Sequence, residues 1–145
     1  MTDFWITDDR ITISNVTLSF IKIVMTSYKN LLAWQKAMLL VKEIYTVTKL
    51  YPKEELFALT SQTKRAAVSI PSNIAEGCGR KSKKDTSHFL YISRGSLYEL
   101  EIHLNIAVMI EILSEASFQK ITLILDECLK ILNGLIRRYE IDDLK

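Results

Sequence analysis

The stretch KRAAVSIPSNIAEGCGRKSKKD, residues 64–85, decides how the chain is read. Its first half has helix composition with Pro71 in the middle, and its second half is a short, strongly basic turn. On a helical wheel of about 100° per residue, Leu59, Thr63, Ala66, Ile70, Ile74 and Gly77 share one narrow arc. That arc predicts the core side of a helix from about Glu54 to Cys78. Gln62, Arg65, Ser69, Asn73 and Glu76 form a polar row beside it, and Val68, Pro71, Ala75 and Cys78 form a third, mostly apolar side. A surface helix of a small monomer carries one apolar face, so two apolar sides predict burial against a second surface, such as another copy of the chain. The candidate assembly interface or polar stripe is Gln62, Arg65, Ser69, Pro71, Ser72, Asn73 and Glu76. Arg65 and Glu76 are three turns apart, so each needs its own partner. Pro71 has no amide for the Ala67 carbonyl, which costs about 3 kcal/mol and predicts a kink that curves the helix around its partner.

Working outward, a first helix is expected from about Asn30, its cap, to Leu50, with a stripe of Leu31, Trp34, Met38, Val41 and Tyr45. Pro52 ends it, and Glu54 and Glu55 suit the start of the second helix. GCGRKSKKD turns the chain, and Ser82 with Asp85 has the form of a capping box with Asp in place of Glu. The third helix is expected to run to about Leu113, with Phe89, Ile92, Leu97, Leu100, Leu104, Ala107 and Glu111 or Val108 inward. Gly95 costs about 1 kcal/mol there against Ala, which predicts a close helix contact. After the turn SEAS, a fourth helix spans about Ser117 to Arg138, with Phe118, Ile121, Leu125, Cys128, Leu132 and Leu135 or Ile136 inward. Four long helices with short links predict an all-α, antiparallel up-down-up-down four-helix bundle.

The bulk numbers agree. The chain has 145 residues, 48% hydrophobic and 25% charged, with four glycines and two prolines. That is one domain, long enough to bury a core without disulfides or metals. Two cysteines in unrelated contexts, Cys78 and Cys128, make neither a disulfide framework nor a CxxC site and fit a cytoplasmic setting. No apolar run approaches the roughly 18 residues of a membrane span, so no membrane partner is expected. Residues 1–24 differ from the rest: rich in Thr, Ile, Val and Phe, they alternate at Ile11 and Ile13 and again at Val16, Leu18 and Phe20. Two readings stand for this extension. Either Met25 is the natural start, or 1–24 is an N-terminal element that docks on the bundle. The bundle itself is expected over residues 25–140, with 141–145 a polar tail.

QTKRAAVSIPSNIAEGCGRKSKKD and HFLYISRGSLYELEIHL, with YKNLLAWQKAMLLVKEIYTVTKLYPKEE before them, resemble the four-helix bundle proteins encoded in intervening sequences of bacterial 23S rRNA genes. SIPSNIAEG is the most distinctive piece, and the resemblance covers about residues 28–138. It implies a homopentamer with a central channel, similarity to the accessory protein of diversity-generating retroelements, and no established enzymatic activity. Ala58 stands where the family usually has Gly, which puts a close packing contact in question; residues 1–24 have no counterpart.

Catalysis has little to stand on. His88 and His103 are 15 residues apart on one helix and cannot share a metal within the chain. Cys78 has no His near it in sequence, and Glu99 and Glu101 point to different faces. No enzyme, metal or cofactor is expected. Charge is more informative, because it is segregated. Between Lys64 and Arg94 the bases Lys64, Arg65, Arg80, Lys81, Lys83, Lys84 and Arg94 outweigh Glu76 and Asp85, a net +5. Between Leu97 and Glu127 the acids Glu99, Glu101, Glu111, Glu115, Asp126 and Glu127 outweigh Lys120, a net −5. Those seven bases are the candidate nucleic-acid-binding residues, contacting RNA or DNA through backbone phosphate with weak sequence selectivity. The competing expectation is an oligomeric scaffold that binds a protein partner.

Overall fold

A computed structural model describes residues 27–143, with side chains as far as Glu140. The N-terminal extension and the expected start at Met25 lie outside the described residues. A 3-10 turn, Tyr28–Asn30, leads into α1, Leu32–Thr48. A second 3-10 turn, Lys53–Glu55, precedes α2, Leu59–Cys78, followed by α3, Lys83–Met109, and α4, Glu115–Asp143. Each helix packs on the next, and α4 closes back on α1. Ion pairs of Lys36 with Glu127 (2.9 Å) and of Glu43 with Lys120 (3.0 Å) set α1 and α4 antiparallel.

The core is a column of apolar side chains from all four helices. Leu40, Ile44, Ile70, Ile74, Leu90, Leu97, Leu100, Leu104, Ile121, Leu125 and Leu132 are fully buried. Each such side chain contributes about 1.5–3 kcal/mol relative to exposure. The expected core arc of α2 is where the wheel put it: Thr63, Ala66, Ile70, Ile74 and Gly77 are buried and Leu59 half-buried. Two other stripes are corrected. α1 faces the core with Ala33, Ala37, Leu40, Ile44 and Val47, one residue out of phase with the stripe expected. The small Ala33 and Ala37 let α1 approach its neighbours, and the bulky Trp34, Met38, Val41 and Tyr45 sit at the helix edge, about 100° away. On α3, Ile92 is exposed, and the inward positions include Ser93, Ser96 and His103.

The starts of α1 and α2 differ from expectation, and neither N-cap residue makes a side-chain cap hydrogen bond, whereas Ser82 caps α3 as expected. Leu31, not Asn30, is the N-cap of α1, after the 3-10 turn uses Asn30. α2 begins at Leu59 rather than near Glu54, because the Glu55 carboxylate accepts from the Leu59 amide at 3.3 Å. Ala58 is the exposed N-cap of α2, so the residue that departs from the family pattern alters no packed contact. At α3, Ser82 Oγ accepts from the Asp85 amide (3.0 Å), and its hydroxyl donates to the Asp85 carboxylate (2.7 Å). α3 ends at Met109 in a Schellman motif: Ile112 N–H reaches the Ala107 carbonyl, Glu111 N–H the Val108 carbonyl, and Glu111 takes φ 63°. α4 runs five residues past Arg138, to Asp143.

Helices α2 and α3 are joined by a seam of hydroxyl groups. Thr86 Oγ1 donates to the Gly77 carbonyl (2.9 Å), Ser93 Oγ to the Ile70 carbonyl (2.9 Å), and Ser96 Oγ meets Ser69 Oγ (2.8 Å). α2 is continuous through Pro71, which is buried. The close helix contact expected at Gly95 is not there: a Cβ at Gly95 would meet nothing within 4 Å. It is at Gly77, where a Cβ would lie 3.1 Å from both the Thr86 carbonyl oxygen and Phe89 Cβ. Toward the other end of the bundle Tyr51 Oη, Thr60 Oγ1 and His103 Nδ1 are buried with no hydrogen-bond partner among the described residues.

The two glycines therefore predict opposite signs for one substitution. Gly95→Ala is expected to raise stability by about 0.5–1 kcal/mol through helix propensity alone. Gly77→Ala is expected to lower it by about 1 kcal/mol, because neither contacting atom is the free end of a side chain. Urea denaturation of the two variants checks both; a gain at Gly77 would show that the seam opens without cost.

Candidate nucleic-acid interface

The antiparallel bundle separates the seven candidate bases into four places. Arg80, Lys81, Lys83 and Lys84 are exposed on the α2–α3 turn. Arg80 pairs with Glu76 one turn back, and its guanidinium lies 4.4 Å from the centre of the Phe89 ring. Arg94 is half-buried on the α3–α4 side, where Nη1 donates to Asn133 Oδ1 (3.2 Å) and the guanidinium covers Tyr91 at 4.7 Å. Lys64 sits on the α1–α2 side with its ammonium 4.9 Å from the centre of the Tyr45 ring. Arg65 is exposed on α2, about 22 Å from the turn at 1.5 Å per residue. The turn is a cluster of four; Lys64, Arg65 and Arg94 stand apart from it.

The turn is built against the preference of its own helix. With Ser82 as N-cap, Lys83 and Lys84 occupy the first two positions of α3. The helix dipole is positive there, so cations in that turn cost roughly 0.3–1 kcal/mol each. Asp85, the next residue, offsets part of this. An anion held over the turn would meet both lysines and the free amides of the α3 N-terminus.

Topology adds two bases that the linear scan missed. Four antiparallel helices bring the C-terminal part of α4 to the end that carries the α2–α3 turn. Arg137 and Arg138 are exposed there. The Tyr91 hydroxyl donating to Glu140 sets the α3–α4 register and places them about three turns below the cluster, at the level of Arg94. Helix parity was the signal: an even number of helices returns the chain to this end. The acidic residues Glu111 and Glu115 lie at the opposite end of α3, about 40 Å away over its 27 residues.

The polar row of α2 is half-buried at Ser69 and Asn73 and exposed at Gln62, Arg65 and Glu76. Asn73 Nδ2 donates to the Ser69 carbonyl (2.8 Å) and hydroxyl (2.9 Å), and Ser69 meets Ser96 of α3. Ser72 donates to the Val68 carbonyl (2.7 Å), and Glu76 is taken by Arg80. Only Gln62 and Arg65 are exposed and, among the described residues, free of such contacts.

Little here resembles an active site. Among the described residues no three His, Cys, Asp or Glu are grouped to hold a metal ion. His103 Nε2 is 3.9 Å from Glu99, and His88 is exposed against Phe89. Both cysteines are free; burial pushes the Cys78 thiol above its ordinary range, against a role as nucleophile. No described helix is long and apolar enough to cross a membrane.

The family model described as 23S rRNA-intervening sequence protein matches residues 29–134. The chain belongs to that family. As a 23S rRNA-intervening sequence protein it is matched from the first 3-10 turn to deep in α4, including the whole seam and the basic turn. A protein of unknown function from the S23 ribosomal protein family of Bacteroides thetaiotaomicron VPI-5482 has a similar solved structure. The TM-score is 0.67 at 24% identity, over 72% of this chain and 98% of that one, which bears on the fold alone. No curated protein matches the chain.

Burial also sets how the fold responds to alkali. Burial pushes the Cys128 thiol from 9.0 to about 12, with the Glu127 carboxylate adding to it, and the Tyr51 phenol from 10.0 to about 12. The unfolded chain ionises first, so this stability is complete below pH 9 and is lost as pH rises toward 12. Urea midpoints are expected to fall between about pH 8 and about pH 10.5. The fall is expected to shrink in Cys128→Ala; an unchanged pH dependence would assign it to other groups.

Proposed function

We propose that this family member is a non-enzymatic, cytoplasmic, oligomeric bundle that associates with nucleic acid, RNA foremost, through the α2–α3 turn. The observation that carries the reading is the pair Lys83 and Lys84 in the first turn of α3, where charge costs stability. With Arg80 and Lys81 they form an exposed cluster of four on a turn of known geometry. Arg137 and Arg138 extend the positive end. Contacts of this kind go to phosphate and position the ligand without reading its sequence. Assembly into a homopentamer multiplies the turn into a ring, and affinity rises with the number of phosphates met.

A protein-binding scaffold is the second reading. The exposed apolar side chains on α1 and α2, Met38 (42% exposed), Tyr45 (43%) and Val68 (40%), favour it. These form a protein-like surface rather than one for phosphate.

Two measurements test the first reading. Binding of a single-stranded RNA is expected to weaken steeply with salt. Replacing Arg80, Lys81, Lys83 and Lys84 by Ala is expected to reduce the log–log salt slope by about 3, at roughly 0.7 per phosphate contact. Absence of binding at low salt, or a slope the variant leaves alone, overturns the proposal. Lys84→Glu is expected to weaken RNA binding while stabilising the fold by about 0.5–1 kcal/mol through the dipole. Loss of both would mean that the lysine serves the fold.

A further inference from the structure

The end of the bundle opposite the basic turn exposes large apolar side chains. The loop between α1 and α2 and the turn between α3 and α4 close that end together. The Glu43–Lys120 ion pair sets the level of α1 against α4, and the Ser93–Ile70 hydrogen bond sets that of α3 against α2. Phe57 is 92% exposed, Leu50 79% and Met109 74%, and Leu56 and Ile110 are about half exposed. At about 200 Å² for a fully exposed large side chain, these five leave roughly 650–700 Å² of apolar surface in water. The largest patch on a typical monomer is about 300–600 Å².

We propose that this end docks on the same end of a second copy across a two-fold axis, each α1–α2 loop covering the other copy's α3–α4 turn. Three observations select a second copy. First, the area is sufficient: two such faces bury roughly 1,300–1,400 Å², within the 1,200–2,000 Å² of a stable interface. Second, the charges are self-complementary. On the α1–α2 loop the exposed Lys49 and Lys53 outnumber the exposed Glu54, and Glu55 is turned back to cap α2. The α3–α4 turn carries the exposed Glu111 and Glu115 and no base. A two-fold contact repeats every pairing, so loop meets turn twice and Lys53 faces Glu111 in both halves. The same acids disfavour an anionic lipid surface as the occupant. Third, Glu111 itself is unusual. It takes φ 63° just past the end of α3, where glycine is the ordinary choice and a side chain costs energy. Among the described residues no base pairs with its carboxylate. A base on a second copy supplies the partner that the strained position lacks.

End-to-end docking is independent of the nucleic-acid reading, which concerns the basic turn about 40 Å away along α3. It is tested by analytical ultracentrifugation of the full chain at about 100 µM, where a contact of this size is populated. The mass is expected to be twice that of Phe57→Asp, a variant at an exposed position outside the helices whose fold is checked by circular dichroism. Lys53→Glu and Glu111→Lys are each expected to weaken the pairing about tenfold, and the two together to restore it. Equal masses for the full chain and Phe57→Asp, or a double variant that stays weak, would overturn the proposal. A photoreactive phenylalanine analogue at position 57 identifies the occupant in a mixture of unlabelled and 15N-labelled protein. Cross-links to the α3–α4 turn are expected between isotopes. Their absence would also overturn it: cross-links within one chain would make the chain cover its own end, and cross-links to added phosphatidylcholine vesicles would make the occupant a bilayer.

Discussion

Three hydroxyl contacts between α2 and α3 hold the frame on which the rest depends. Thr86, Ser93 and Ser96 reach Gly77, Ile70 and Ser69 along the facing sides of the two helices. Apolar packing alone tolerates a slide of one helix along another, since leucines exchange holes at modest cost. A hydroxyl paired with a particular carbonyl does not, because a slide leaves buried polar groups unpaired at about 1–3 kcal/mol each. The seam therefore sets the level at which the α2–α3 turn ends, and with it the position of Ser82 and the cations that follow. Gly77 is part of the same device, since only a missing side chain lets α3 come that close.

The bundle was legible in the chain because its signals are local. Capping at Ser82, the break at Pro52 and the arc from Thr63 to Gly77 need no knowledge of a neighbour. The α1 stripe was misplaced because both Leu40 and Val41, and both Ala37 and Met38, satisfy a helical period. Which of two apolar faces goes inward is decided by how close the other helices come, and alanine wins where they come closest. Gly95 misled for the related reason that a glycine in sequence does not say whether anything approaches it. On α3, Ser93 and Ser96 are inward because α2 brings the Ile70 carbonyl and the Ser69 hydroxyl beside them, which no local pattern announces.

The candidate site was only partly legible. The cluster Arg80, Lys81, Lys83 and Lys84 is contiguous in the chain and stayed contiguous in space. Arg94 and Lys64 were grouped with it by sequence distance, and the helical geometry turned each to a different side, onto Tyr91 and Tyr45. Arg137 and Arg138 lie more than fifty residues from the turn in sequence but in the same half of the bundle.

The separation of bases and acids along α3 has a consequence for assembly. A bundle with a positive end and a negative end about 40 Å apart behaves as an electric dipole. In a ring whose subunits stand parallel, like ends face each other, and their repulsion acts over a few ångströms to a Debye length of about 8 Å. Added salt relaxes that repulsion while it strips counterion-driven contacts from a polyanion. In such a ring, ionic strength would pull the two properties apart, favouring closure and disfavouring a bound polyanion.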